Sequence, residues 1–424
     1  MSPRNNDQSN SNAQQYSSQF RGAAAESAGS TLAPIRRKPR GKSHSHGISS
    51  VSKRNYAGRY QQPSNDGDVG SLPSIRNAPN ERYDRKGYRD RDAGANSIIR
   101  ATNPGAQTSS SLVVREVGGL SITTEHLSTV GVTSIRGLKP NNPNWVNQDN
   151  FFVAENVLDN DSAPVHIYCV LDGHGGVGHL VSKRCREVFL QFIKAANLDM
   201  RRAFNMMQND LLSAEFDTKC SGATCTLVMY INGKLACSNC GDSRAVLGRK
   251  ASNGTFIAIP LSNDHKPDKQ EERKRILNCG GHVGCRQVLV SQGPRGPVTM
   301  PVGPCRVWYQ HKGDTLGLAM SRSLGDTIVH KCGVSAEPET LDHVLEVQDE
   351  FIIIATDGVW DVIDNNQAIQ IVQNYAAKCQ SPNWSPLEAS NWICKVARGR
   401  WEKLSPMVDD ISCIVIKTPN SSSK

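Results

Sequence analysis

The sequence predicts an α+β fold in which antiparallel β-sheets carry helices on their outer sides, behind a long basic N-terminal tail expected to be disordered. Three observations predict it. Apolar runs of strand length outnumber helical periodicities, an Asn-Gly pair sits between two such runs, and the composition changes sharply near residue 115.

Residues 1–115 of the 424 hold 18 Lys+Arg against 8 Asp+Glu, whereas the remainder holds 31 against 32. The formal net charge of +9 therefore belongs to the tail. A segment this rich in Ser, Asn, Gln, Gly and Arg cannot bury enough apolar surface to offset its chain entropy. Its compact basic stretch, Arg36-Arg37-Lys38-Pro39-Arg40-Gly41-Lys42, and the mixed stretch 82–92 read either as solvated linker or as a nuclear-import or anion-docking segment. Scattered tyrosines give no folded recognition element, so nucleic acid is not an expected partner. The roughly 300 residues of 116–418 can bury a core as one domain, and 419–424 are expected to be disordered again. No apolar run reaches membrane-spanning length, so stable membrane insertion is not expected. Thirteen cysteines without an apolar leader point to reduced, mostly buried thiols and a cytoplasmic or nuclear location. A monomer is expected.

Order should begin within residues 112–130. His166-Ile167-Tyr168-Cys169-Val170-Leu171 reads as a buried strand. Val177, Leu180, Val181, Cys185, Val188, Phe189 and Phe192 recur at helical spacing over 177–196. Residues 225–231 and 234–240 read as a hairpin, because Asn232-Gly233 suits a primed turn that needs positive φ at both positions. Residues 351–355 and 411–416 read as further buried strands. Residues 284–313, rich in Gly and Pro, read as a mobile flap.

The acids stand out against these strands. One apolar run ends in Leu171-Asp172-Gly173, another in Ala355-Thr356-Asp357-Gly358, and Asp409-Asp410 precedes a third. A carboxylate at the end of a buried strand is costly unless paired or metal-bound. In antiparallel sheets the start of one strand can lie beside the end of its neighbour, so the three sites can meet at one edge. Converging carboxylates suit Mg²⁺ or Mn²⁺. A single Asp-Gly is otherwise an ordinary turn. His174, next in the chain, is either a surface histidine in a Gly-rich turn or a proton donor to a leaving alkoxide.

With these residues go further motifs: Asn147-Gln148-Asp149, Asp172-Gly173-His174-Gly175-Gly176, Ser221-Gly222-Ala223-Thr224, Gly241-Asp242-Ser243-Arg244, Asp264-His265-Lys266-Pro267, Ser321-Arg322-Ser323-Leu324-Gly325-Asp326, Asp357-Gly358-Val359-Trp360-Asp361 and Asp409-Asp410-Ile411-Ser412. In this order the chain resembles the type 2C, metal-dependent serine/threonine protein phosphatases. The resemblance implies two antiparallel β-sheets sandwiched between helical layers. It implies two Mg²⁺ or Mn²⁺ ions, bridged by Asp172, with the Gly173 carbonyl, Asp357 and Asp409 as further ligands. Asp242 would help hold a third, weaker ion, and Asp149 would act through bound water. A metal-activated water would attack the phosphorus of phosphoserine or phosphothreonine proteins, and His174 would protonate the departing oxygen. Two departures from the pattern stand out. Gln148 occupies a position where many relatives carry Glu. The phosphate-binding Arg is missing from its usual place, leaving Arg136 as the nearest arginine upstream. A catalytically weak relative that binds phosphoproteins or a receptor is the alternative reading.

Three other patterns are weighed against this. Cys394 to Arg400 has the Cys-x5-Arg spacing of thiol phosphatases but lies in a helical periodicity and reads as an amphipathic helix. Cys279, His282, Cys285 and Cys305 offer zinc-ligand types, although the glycine turn between them needs no zinc. Glu271-Glu272-Arg273-Lys274-Arg275 reads as the solvated face of a short helix.

Overall fold

The computed structural model describes residues 99–100, 111–117, 120–127, 129–157, 164–293, 296–379 and 383–419. Most of the basic stretch 1–115, including both basic segments, and residues 420–424 lie outside the described residues. The short strand Ile99–Arg100 and the start of Ser111–Val117 fall within that stretch.

Two sheets dominate. The first runs in the order β1 (Ile99–Arg100), β5 (Asn150–Glu155), β6 (Val165–Leu171), β9 (Cys225–Ile231), β10 (Lys234–Cys240) and β17 (Glu339–Val344). The second runs β12 (Phe256–Pro260), β11 (Arg244–Lys250), β18 (Asp349–Ala355), β19 (Ile411–Lys417), β4 (Val130–Ile135), β3 (Leu120–Leu127) and β2 (Ser111–Val117). All pairings in both sheets are antiparallel except β1 with β5. The β9–β10 hairpin turns at Asn232 (φ 51°) and Gly233 (φ 74°), as the Asn-Gly pair predicts.

The strand runs read as continuously apolar because both faces of each central strand are buried. On β6, Tyr168 and Val170 face the other sheet, while Ile167, Cys169 and Leu171 face helices α1 (Gly178–Ala195) and α2 (Met200–Leu212). On β18, Ile352 and Ile354 pack between the sheets. Phe351, Ile353 and Ala355 of the same strand pack toward α4 (Asp357–Trp360), α5 (Asn365–Lys378) and α6 (Pro386–Leu404). Period-two alternation thus builds three apolar layers and a helix–sheet–sheet–helix sandwich. Gly131 of β4 lets the start of α6 sit on the sheet: a Cβ there would lie 2.0 Å from the Leu387 nitrogen. Among the described residues no helix is long and apolar enough to cross a membrane.

Residues 284–313 form a ribbon rather than an irregular flap. β13 (His282–Gly293) pairs along its length with β14 (Gly296–His311), whose base pairs with β15 (Asp314–Leu318). Pro297, Pro301 and Pro304 lie on the stretch of β14 that β15 does not reach, so their missing N–H groups forfeit no ladder bond on that side. Gly303 (φ 74°) takes up the bulge where the register shifts after Cys285. Cys285 and Cys305 are direct cross-strand partners joined by a disulfide, which corrects the expectation that all thiols are reduced and removes both from any zinc set. The other eleven cysteines are free, seven of them buried. Cys394 is one of these, held in α6 with its thiol against the Thr133 carbonyl and its pKa pushed up by burial. A thiolate nucleophile requires the reverse.

The charge run 271–275 is not a wholly solvated face. α3 (Gln270–Asn278) turns Glu272 inward, where Arg275 donates two bonds of 2.7 Å, Arg322 a third of 2.7 Å, and the Ser321 hydroxyl a fourth. The run looked solvated because the partner Arg322 lies fifty residues away in the chain.

Candidate active site

The register brings the acids to one end of each sheet. Asn150 pairs with Leu171, so Asp149 before β5 and Asp172 after β6 are neighbours. Cys240 ends β10 at the same end of that sheet, and Gly241 (φ 120°) turns the chain into Asp242. In the second sheet Ala355 pairs with Cys413 and Ile411 with Ile135, which puts Asp357, Asp409, Asp410 and the 136–139 segment side by side.

Hydrogen bonds across the sandwich fix the arrangement. The Thr356 hydroxyl of the second sheet donates to Asp149 Oδ2 of the first at 3.0 Å. Asp410 ties three segments, accepting from Gly137 N (2.6 Å), Gln148 N (2.9 Å) and Trp145 Nε1 (3.1 Å). Asp410 is thus a buried bracket beside its more exposed neighbour Asp409. The Asp172 N–H donates to the Thr224 hydroxyl, and its carbonyl accepts from Thr224 N. His265 accepts from Gly241 N and so braces the turn that presents Asp242.

Electrostatics mark the cluster. Burial, with Asp357, Asp149, Asp409 and Asp242 around it, pushes the Asp172 carboxyl well above the usual carboxylate range. Burial and Asp242 and Asp409 do the same to Asp357, and burial and Asp410 to Asp149. Such mutual repulsion is relieved only by protonation or by cations. Asp149 Oδ1 and Asp242 Oδ1 are buried without a hydrogen-bond partner, two acceptors that a hard cation would satisfy. Among the described residues no three His, Cys, Asp or Glu side chains stand at metal-ligand spacing. Two lysines supply charge instead. Lys139 Nζ lies 2.9 Å from Asp409 Oδ1, and Lys266 Nζ bonds Asp242 Oδ2. The oxygen-only donor set and the orphaned oxygens fit Mg²⁺ or Mn²⁺.

The structure therefore brings together Asp149, Asp172, Asp242, Asp357 and Asp409, with Gly173 and His174 on the adjoining short strand β7 (Gly173–His174). Arg136 Nη1 donates to the Trp145 carbonyl at 3.2 Å, and the basic groups bonded to the carboxylates are Lys139, on Asp409, and Lys266, on Asp242. Gln148 has a use that Glu cannot fill, since its amide donates to the Gly175 carbonyl at 2.9 Å and holds the turn after His174. Sequence reasoning missed Lys139, Lys266 and Asp326. The last two lay inside motifs already singled out, and Lys139 stands three residues beyond Arg136.

Residues 144–401 match the family model described as Protein phosphatase 2C. A rice relative (Oryza sativa subsp. japonica), probable protein phosphatase 2C 64, is 35% identical over 287 residues, which are 64% of this chain and 62% of the relative. Probable protein phosphatase 2C 72 of Arabidopsis thaliana is 29% identical over 309 residues, 68% of this chain and 85% of the relative. The chain thus spans less than two thirds of the rice relative's length. Among solved structures, a serine-threonine phosphatase 2C from Toxoplasma gondii superposes with a TM-score of 0.54 at 17% identity, covering 73% of this chain and 98% of that one. At that identity the likeness concerns the fold.

Proposed function

Because the chain belongs to the protein phosphatase 2C family, we propose that it hydrolyses phosphoserine and phosphothreonine in proteins, using divalent cations held by the strand-end carboxylates. The observation that carries this reading is the convergence of Asp149, Asp172, Asp242, Asp357 and Asp409 at one end of the sandwich, where burial and the neighbouring acids raise the pKa of Asp149, Asp172 and Asp357.

In this reading Asp172, the Gly173 carbonyl, Asp357 and Asp409 would hold two Mg²⁺ or Mn²⁺ ions, and Asp242 with Asp357 would serve a third. Bound there, the ions supply Lewis acidity toward the phosphoryl oxygens and a water acidic enough to attack. Asp149, fixed by Thr356, would accept hydrogen bonds from the attacking water. Thr224 and Ser243 lock the Asp172 backbone and so keep its carboxylate aimed. His174 gives a proton to the departing Ser or Thr oxygen. The test is phosphate release from a phosphothreonine peptide with Mn²⁺ and with excess chelator. Release only with metal supports the enzyme, while peptide binding without release assigns the chain to a phosphoprotein-binding role.

Lys139, rather than Arg136, is the proposed grip on the phosphate. Burial alone lowers an ammonium pKa, but Asp409, Asp410 and Asp172 outweigh it and hold Lys139 charged. A charge-assisted bond to a phosphoryl oxygen is worth roughly 1.5–3 kcal/mol, which is about 10- to 100-fold in affinity. Lys139→Ala is therefore expected to raise KM for the peptide by that factor with a smaller change in kcat, and Lys139→Arg to recover most of it. An unchanged KM in Lys139→Ala would return the role to another residue.

A further inference from the structure

Three short strands beside the acids form a sheet of their own, in the order β16 (Leu324–Gly325), β8 (Gly222–Ala223), β7. Gly222 sits in its centre, opposite His174 on one side and Gly325 on the other. A Cβ on Gly222 would lie 2.3 Å from Asp326 Oδ2. The missing side chain leaves a slot through which the Asp326 carboxylate reaches across the sheet. There His174 Nε2–H donates to Asp326 Oδ2 at 2.6 Å.

Asp326 is built for one position. Its side chain is 1% exposed, and its backbone holds a left-handed φ of 45° that non-glycine residues seldom adopt. Asp326 N donates to the Ser221 carbonyl, and the Ser323 hydroxyl donates to the same Oδ2 that faces His174, at 2.6 Å. Strain held this firmly accompanies residues whose placement matters. The other ring nitrogen, His174 Nδ1, is buried with no hydrogen-bond partner of good geometry, although the Asp172 backbone lies close enough to the ring to favour its protonated form.

We propose that Asp326 is a positioning residue for the reaction, keeping Nε2–H of His174 engaged so that Nδ1 is the nitrogen that gives up its proton. The inference rests on the reading of His174 as the proton donor. When water adds to phosphorus and the bond from phosphorus to the Ser or Thr oxygen breaks, the bond pair goes to that oxygen. The oxygen takes the proton from Nδ1, and the imidazole left behind is the neutral Nε2–H form that Asp326 holds. Gly222 and Ser323 serve this contact, the first by leaving room and the second by fixing the carboxylate.

The test compares two substrates on the full chain with saturating Mn²⁺: p-nitrophenyl phosphate, whose phenolate leaves without a proton, and a phosphothreonine peptide, whose alkoxide needs one. General acid catalysis is worth about 10²- to 10⁴-fold. Asp326→Asn is expected to lose about 10²-fold in kcat on the peptide and less than about fivefold on p-nitrophenyl phosphate. His174→Gln should show the same selectivity, and the double variant should be no slower than His174→Gln alone. Equal losses on both substrates, or additive losses in the double variant, overturn the proposal. A selective His174→Gln beside an unselective Asp326→Asn sinks only the role of Asp326, whereas an unselective His174→Gln sinks the proton-donor reading as well. Ser323→Ala keeps the carboxylate and decides the matter if Asp326→Asn does not fold: a smaller loss confined to the peptide supports the proposal, and no selectivity refutes it.

Discussion

Asp172→Asn is expected to reduce metal-dependent turnover of a phosphothreonine peptide by on the order of 10³-fold, because placing cations on the phosphoryl group contributes several kcal/mol. The same substitution should leave the protein, stripped of metal by a chelator, as stable as the wild type or more so. Desolvation, and then the charges of Asp357, Asp149, Asp409 and Asp242, raise the Asp172 pKa well above the usual value. A carboxyl whose folded pKa is raised contributes stability below its unfolded pKa, about 3.9, and loses that contribution as pH rises through the folded value. In chelator the midpoint difference between variant and wild type should therefore shift in the variant's favour as pH increases. Calorimetry at several pH values, with and without Mn²⁺, reads both effects. A variant that turns over normally, or one that unfolds more easily in chelator at neutral pH, would remove Asp172 from the centre of the cluster.

Glu272→Ala should have the largest effect on stability. Burial disfavours its charge, yet the forks from Arg275 and Arg322 and the Ser321 hydroxyl hold the carboxyl well below the ordinary range. Removing one partner of a buried, hydrogen-bonded ion network leaves the rest uncompensated and costs about 3–5 kcal/mol. For a domain of this size that corresponds to a fall in thermal midpoint on the order of 10 °C. The sign with pH is opposite to that at Asp172. A depressed carboxyl contributes above its unfolded pKa, about 4.3, and loses the contribution as pH falls through the folded value. The gap between wild type and variant should be widest near neutrality and close in acid. A midpoint within about 2 °C of wild type at pH 7 would show that the network stabilises little. Arg275 also donates to the Ser321 carbonyl, so the network anchors the segment that leads to Asp326.

Much of this was legible in the chain. Strand runs at 166–171, 351–355 and 411–416, the helix over 177–196 and the Asn232-Gly233 turn follow from local periodicity and backbone preference, and each appears where expected. Asp172 and Asp357 were visible because each is a charge placed directly after an apolar run. The ribbon at 282–311 was not legible, because its order comes from cross-strand partners rather than from the propensities of its Gly and Pro residues. The disulfide between Cys285 and Cys305 depends on the register of that ribbon, which composition does not encode.

The sequence by itself determined the antiparallel sheets with outer helices and the carboxylates at strand ends, since alternation, turn chemistry and the price of burying charge are all local matters, and its ordered motifs carried the resemblance to the family. Tertiary structure alone decided which basic group meets the acids and which acid meets His174. Lys139 and Arg136 are three residues apart and both cationic, and only the bend after β4 puts Lys139 between Asp409 and the Trp145 ring while Arg136 donates to the Trp145 carbonyl. Asp326 lies 152 residues from His174, and their contact exists because Gly222 leaves a gap between two strands. Such pairings depend on register and on empty space, and both come into being only when the sheets close.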